Sequence, residues 1–212
     1  MGRRTTLAAR CASLALLGVL AACGASAEPT SFTGTRLDPP FEVSSTPLTD
    51  TGGDDYSLAE DADKDLTLVF FGYTNCPDIC GQVMATLAGT LTRLDDEQRD
   101  RVDVVFVTTD PHRDDRQVVE DYVQAYAPSI VGLTGELDEI VPVAASVKVA
   151  IGYFDRTGAE IQPADLPQTG YEVEHGTQVF GMGPDGDVDE FWGADVSQAQ
   201  LTRDVLTLLD EG

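Results

Sequence analysis

One stretch constrains this chain more than any other: Leu-Thr-Leu-Val-Phe-Phe-Gly-Tyr-Thr-Asn-Cys-Pro-Asp-Ile-Cys, from Leu66 to Cys80. Leu66 to Tyr73 is an almost unbroken apolar run, rich in β-branched and aromatic residues, which suits a strand covered on both faces in the middle of a sheet. Gly72 and Thr74-Asn75 break the run, and Pro77 stands where the first turn of a helix tolerates a missing N–H. Asn75 or Cys76 is therefore read as the cap of a helix that continues through Ile79, Val83, Met84, Leu87 and Leu91. A four-residue spacing puts Cys76 and Cys80 on one side of that first turn. The helix dipole and free N–H groups there favour thiolate, which suits a metal ligand and a redox nucleophile equally well.

The rest of the chain alternates strands with helices. A strand, turn and strand from Phe41 to Leu58 predicts an N-terminal hairpin. Val102–Val107, Ile130–Leu133 and Val147–Phe154 read as strands, with helices around Val118–Tyr126 and Leu137–Val143. Asp155–Glu174 is a long polar connection containing Pro163, Pro167 and Gly170, and it delivers His175. Gln178–Met182 and Val188–Trp192 form a hairpin after it, and Asp195 or Ser197 caps a last helix bearing Leu201, Val205 and Leu208. This order predicts an α/β fold with a central, largely parallel sheet flanked by helices.

The first residues read as an export signal. Arg3, Arg4 and Arg10 precede 12 uncharged residues, Cys11–Ala22, too few to span a bilayer as a helix. Leu20-Ala21-Ala22-Cys23 matches a bacterial lipobox. Residues 1–22 are thus assigned to a lipoprotein signal peptide, 23–39 to a lipidated Cys23 with a flexible tether, and 40–212 to a single domain. The expected location is the extracytoplasmic face of the cell membrane. Cys76 and Cys80 are then the only cysteines left in the mature domain. A structural disulfide is the common use of such a pair, but a loop this short constrains little of the unfolded chain.

Charge excludes a class of partner. Removing the signal takes away three arginines and no acid, moving the formal net charge from −24 to −27. A nucleic-acid backbone would be repelled by such a chain.

The motifs Phe71-Gly72-Tyr73-Thr74-Asn75-Cys76-Pro77-Asp78-Ile79-Cys80, Thr109-Asp110-Pro111-His112-Arg113-Asp114, Gly132-Leu133-Thr134-Gly135 and Val173-Glu174-His175 resemble, in that order, those of the Sco/SenC family. The resemblance implies a thioredoxin-like fold and copper bound by Cys76, Cys80 and His175. It also implies delivery of copper to the binuclear copper centre of cytochrome c oxidase by a monomeric domain. Two thiolates and an imidazole make a soft site suited to Cu(I), with Cu(II) accepted if a further ligand joins, and zinc compatible with the same donors. The competing function is a thiol-disulfide reductase that uses Cys76 and Cys80 as a redox dithiol, able to form a reversible disulfide. A thioredoxin-like peroxidase lacks its signature here. His112 is read as a surface residue, Asp110 and Asp114 as caps of a turn and of the next helix, and Trp192 and the tyrosines as packing.

Overall fold

Every residue of Leu66–Gly72 is buried, and the run is the strand on which both layers of the protein rest. A computed structural model describes residues 31–212, and Phe32–Gly212 forms one compact unit. The signal peptide, the lipobox and Cys23 lie outside the described residues.

In chain order the elements are β1 (Thr35–Glu42), β2 (Leu48–Asp50), β3 (Asp55–Tyr56), α1 (Leu58–Asp61), β4 (Leu66–Gly72), α2 (Ile79–Leu91), α3 (Asp96–Arg99), β5 (Val102–Thr108), α4 (Arg116–Gln124), β6 (Val131–Thr134), α5 (Leu137–Ser146), β7 (Gly152–Asp155), β8 (Tyr171–Glu174), β9 (Val179–Met182), β10 (Asp187–Trp192) and α6 (Gln198–Glu211). Eight strands form one sheet in the order β1-β10-β9-β4-β5-β6-β2-β3, and β7 and β8 form a separate antiparallel pair. The fold is α/β and thioredoxin-like.

Alternation along the two central strands sorts the core into two faces. Leu68, Phe70, Val104 and Phe106 point toward Met84 and Leu87 of α2, Val119 and Val123 of α4, and Leu201 and Val205 of α6. Val69, Phe71, Val105 and Val107 point the other way, toward Ile140, Val143 and Ala144 of α5. Each large side chain buried in this way contributes about 1.5–3 kcal/mol, which fits the scarcity of polar residues in β4 and β5, where only the buried Thr67, the half-buried Asp103 and the buried Thr108 at the end of β5 occur.

Four expectations change. The sheet is parallel only where β4, β5 and β6 meet; its other pairings are antiparallel. The stretch read as tether up to residue 39 includes the start of β1, whose Pro39 and Pro40 are accommodated because the strand pairs only with β10, at the sheet edge. The N-terminal hairpin is β2–β3, so Phe41 does not pair with the segment before β4 but with Val188 at the opposite edge. Finally, Val147–Phe154 is not a strand of the main sheet. Only Gly152–Asp155 is extended, and it pairs with Tyr171–Glu174, which turns most of the long polar connection into the link of a hairpin. The last helix is capped by Ser197, with Gln200 completing a capping box.

Candidate metal centre

The chain leaves β4 at Gly72, a position with no room for a side chain. A Cβ there would lie 2.8 Å from Phe70 Cε1, 3.0 Å from Phe106 Cε2 and 3.2 Å from Cys80 Sγ. Tyr73 to Cys76 then form a turn closed by the Cys76 N–H donating to the Tyr73 carbonyl at 3.2 Å. Helix α2 begins only at Ile79, after Asp78, whose backbone (φ −132°, ψ −91°) is not helical and whose side chain makes no cap hydrogen bond. The expected cap at Asn75 or Cys76 is therefore replaced by a non-helical loop. Cys80 sits in the first turn of α2, fully buried, whereas Cys76 sits on the loop and is half-buried.

His175 reaches the same spot from the end of β8, 95 residues further along the chain. The ligating atoms of Cys76, Cys80 and His175 all lie within 4.8 Å of one another, the one such group of three among the described residues. Cys80 Sγ is 3.5 Å from His175 Nε2, and His175 Nδ1 is 2.7 Å from the Gly176 carbonyl oxygen. A carbonyl only accepts, which assigns the proton to Nδ1 and turns the Nε2 lone pair toward the sulfur. The imidazole stands edge-on to Phe70 and Tyr73, with ring centroids at 6.2 Å and 5.6 Å.

Burial sets the protonation of both groups. It lowers the His175 pKa, opposed in part by backbone acceptors at Gly176 and Phe71, so the ring is neutral at physiological pH. It also pushes the Cys80 thiol well above its usual value, helped by a hydrogen bond with Cys76. The expectation that the helix terminus would favour a thiolate does not hold for Cys80. Its sulfur faces the apolar core, where the cost of desolvating a charge exceeds what the dipole returns. Neither cysteine is in a disulfide, so the pocket offers two sulfurs and an imidazole, soft donors, and a cation bound there would displace the proton that burial keeps on Cys80.

The remaining candidates separate clearly. His112 is exposed and lies 3.1 Å from Gln168, outside the three-residue group, as a surface residue should. Asp110 opens a turn, its carbonyl accepting from the Arg113 and Asp114 N–H groups at 3.1 and 2.9 Å, but Asp114 is not the cap of α4; Asp115 fills that role by accepting from the Val118 N–H. Asp114 is buried and accepts from the Thr74 N–H at 2.9 Å, the Thr74 hydroxyl at 2.6 Å and the Thr108 hydroxyl at 2.7 Å. It therefore fastens the cysteine loop to the end of β5. Asp110, also buried, accepts from Arg113 Nε and from the Tyr171 hydroxyl at 2.6 Å. The contacts of these two carboxylates with Thr74 and Tyr171 were invisible to periodicity because they join segments 40 or more residues apart; the only local signal is the charged run Asp110–Asp114 after an apolar strand.

A thioredoxin-like domain carrying a dithiol, one sulfur enclosed and one accessible, and a converging histidine defines a class of thiol and metal-handling proteins. Comparison specifies it further: the family model described as SCO1/SenC matches residues 35–210, and the chain belongs to that family. Protein SCO1 homolog 1, mitochondrial, of Arabidopsis thaliana is 33% identical over 66% of this chain and 39% of its own length. Protein SCO2 homolog, mitochondrial, of Homo sapiens is 32% identical over 65% of this chain and 49% of its own. The match thus spans about half or less of these relatives. Among solved structures, apo Sco1 from Thermus thermophilus aligns with a TM-score of 0.71 at 28% identity, covering 86% of this chain and 98% of that one. Arabidopsis thaliana ScoI with copper bound gives 0.66 at 27%, covering 81% and 99%.

Proposed function

We propose that this protein is a copper chaperone, held at the extracytoplasmic face of the membrane by lipid on Cys23, that delivers copper to the binuclear centre of cytochrome c oxidase. The observation that carries the reading is the convergence of Cys76 Sγ, Cys80 Sγ and His175 Nε2 within one ion's reach. Two soft sulfurs and a neutral imidazole satisfy Cu(I) with few ligands and accept Cu(II) when a further group joins. A copper-bound structure of a family member supports the choice of ion over zinc. Cys76 is the accessible sulfur through which the ion would enter and leave, since Cys80 is enclosed.

The second reading keeps the same residues as a dithiol that reduces the acceptor's copper-ligating cysteines. It is favoured by two free thiols facing each other across a short loop. His175 separates the two readings, because thiol-disulfide exchange has no need of it. His175→Ala should weaken Cu(I) binding at least tenfold, the scale on which loss of a supporting contact alone acts, and should abolish oxidase assembly in a strain lacking the native protein. Reduction of a model disulfide should continue at a near-normal rate. If copper affinity, by competition with a Cu(I) chelator, and oxidase activity both survive the substitution, the reductase reading replaces the chaperone. Mass spectrometry of membrane-extracted protein tests the anchor: an unmodified N-terminus other than Cys23 removes it.

A further inference from the structure

The three candidate ligands stand on two stretches of the chain, the loop after β4 and the short link between β8 and β9. Cys76 and Cys80 follow β4, in the centre of the eight-stranded sheet. His175 follows β8, whose only strand partner among the described residues is β7. On its C-terminal side His175 is held by β9, whose Val179, four residues on, pairs with Phe70 of β4; on its N-terminal side no strand register reaches the sulfurs, and side chains must do it.

The guanidinium of Arg113 occupies the gap. It lies 3.8 Å from the ring centroid of Tyr171 and 5.7 Å from that of Tyr73, both within the range of a cation–π contact. Tyr171 is four residues before His175 on β8, and Tyr73 opens the turn that carries Cys76. Arg113 also holds the β8 backbone, donating from Nη1 to the Tyr171 carbonyl at 3.3 Å. Its Nε donates to Asp110, which in turn accepts from the Tyr171 hydroxyl. The Tyr153 hydroxyl of β7 donates to the Thr109 carbonyl at 2.8 Å and ties the other strand of the pair to the same segment. The Arg113 side chain is only 15% exposed, and its Nη2 has no hydrogen-bond partner among the described residues, so the two aromatic faces are a principal part of what this end of the cation meets.

We propose that Arg113 is a positioning residue that sets the separation between His175 and the two cysteines, and so decides whether a bound ion is held by three protein ligands or by two. This rests on the copper reading above. Only a planar, permanently charged group suits the position, because it must stack on two rings and reach a carboxylate and a carbonyl at once, which an ammonium on a flexible stem does not do. Arg113 touches neither sulfur nor imidazole and acts through the residues on either side of them.

The test is a double-mutant cycle on the reduced domain with Cu(I) as probe, paired with a metal-free readout. Arg113→Lys, which keeps the charge, and Arg113→Met should each weaken Cu(I) about tenfold in the wild-type background, the lower end of the range for outer supports of metal ligands. The same substitutions should have no further effect in His175→Ala protein, where the ligand being positioned is gone. In the Cu(II) form the nitrogen superhyperfine splitting should weaken, and in the metal-free protein the His175 ring should show exchange broadening by NMR. Tyr171→Phe, which keeps the ring and loses only the Asp110 hydrogen bond, should fall between wild type and Arg113→Lys, and it replaces any Arg113 variant that does not fold. The proposal is overturned if folded variants bind Cu(I) as wild type does with a rigid His175 ring, or if the loss is equally large without His175. If wild-type protein itself fails to bind copper, it is the functional reading that falls, while the metal-free NMR still reports on the clamp.

Discussion

The two halves of the candidate centre are built on different principles. Cys76 and Cys80 come from one continuous stretch, and β4 beneath them is buried along its whole length and paired on both sides, with β5 and β9. His175 lies in the link between β9, which pairs with β4, and a strand pair outside the main sheet that is fastened through aromatic rings and polar groups: Tyr153 to Thr109, Tyr171 to Asp110, and Arg113 between. Apolar burial holds β4 in a way that is insensitive to any one contact, and a single carboxylate, Asp114, fastens the cysteine loop above it. The second half depends on a few directional groups, so it can be loosened without unfolding the domain. On the chaperone reading proposed above the site must release its ion, and that division would let one ligand be withdrawn while the other two stay put.

Removing the sulfur half should have the largest effect. Cys80→Ser eliminates a buried ligand and should abolish Cu(I) binding in chelator competition along with formation of the Cys76–Cys80 disulfide. The domain's circular dichroism should remain, because exchanging one buried sulfur for oxygen removes no hydrocarbon from the core that holds Leu68 and Phe70. Residual binding within tenfold of wild type would mean that His175 and Cys76 suffice, reversing the ranking of the two halves.

Cutting the anchor of the cysteine loop comes next. Asp114→Ala leaves the Thr74 N–H and the Thr74 and Thr108 hydroxyls without their acceptor. At about 1–3 kcal/mol for an unsatisfied buried group, a loss of about 3 kcal/mol in denaturant unfolding is expected. A loss under about 1 kcal/mol would show that water replaces the carboxylate and that burial alone holds the loop.

Protons distinguish the halves more finely. The Cys80 pKa is raised in the folded protein, so below that value the thiol carries a proton that copper must displace. The His175 pKa is lowered, so at neutral pH the imidazole has no proton to lose from Nε2. Apparent Cu(I) affinity should therefore rise with pH, at least about tenfold per unit between pH 7 and 8 for the one proton from Cys80. Titration calorimetry in buffers of different ionisation enthalpy counts the protons; none released at pH 7 would place a thiolate at Cys80.

The smallest effect should come from the far end of the histidine half. Tyr153→Phe removes one buried hydrogen bond to the Thr109 carbonyl and should cost about 1 kcal/mol, with faster amide exchange confined to β7 and β8. Exchange that quickened equally in β4 would show that the two sheets open together.

Much of this architecture was legible in the amino-acid order. The two-faced burial of Leu66–Gly72, the strand at Val102–Val107, the helices after each and the Ser197 cap follow from side-chain period and local capping chemistry, which short windows contain. So does the pair of thiols beside a helix start. The lipobox, the signal and Cys23 are statements of sequence alone. What local pattern could not supply was the partner of each strand. Thr35–Pro39 reads as tether because Pro39 hides an edge strand, and Val147–Phe154 reads as core because apolar content does not say which sheet receives it. The start of α2 at Ile79 and the protonated Cys80 were decided by the environment folded around them, where burial outweighs a terminus's dipole. The contacts of Asp114, Arg113 and Tyr171 likewise exist only once β5, the cysteine loop and β8 are brought together. Local preference acts between neighbours in the chain, whereas the distance from His175 to the sulfurs depends on groups from distant segments packing against one another, and only the tertiary structure decides it.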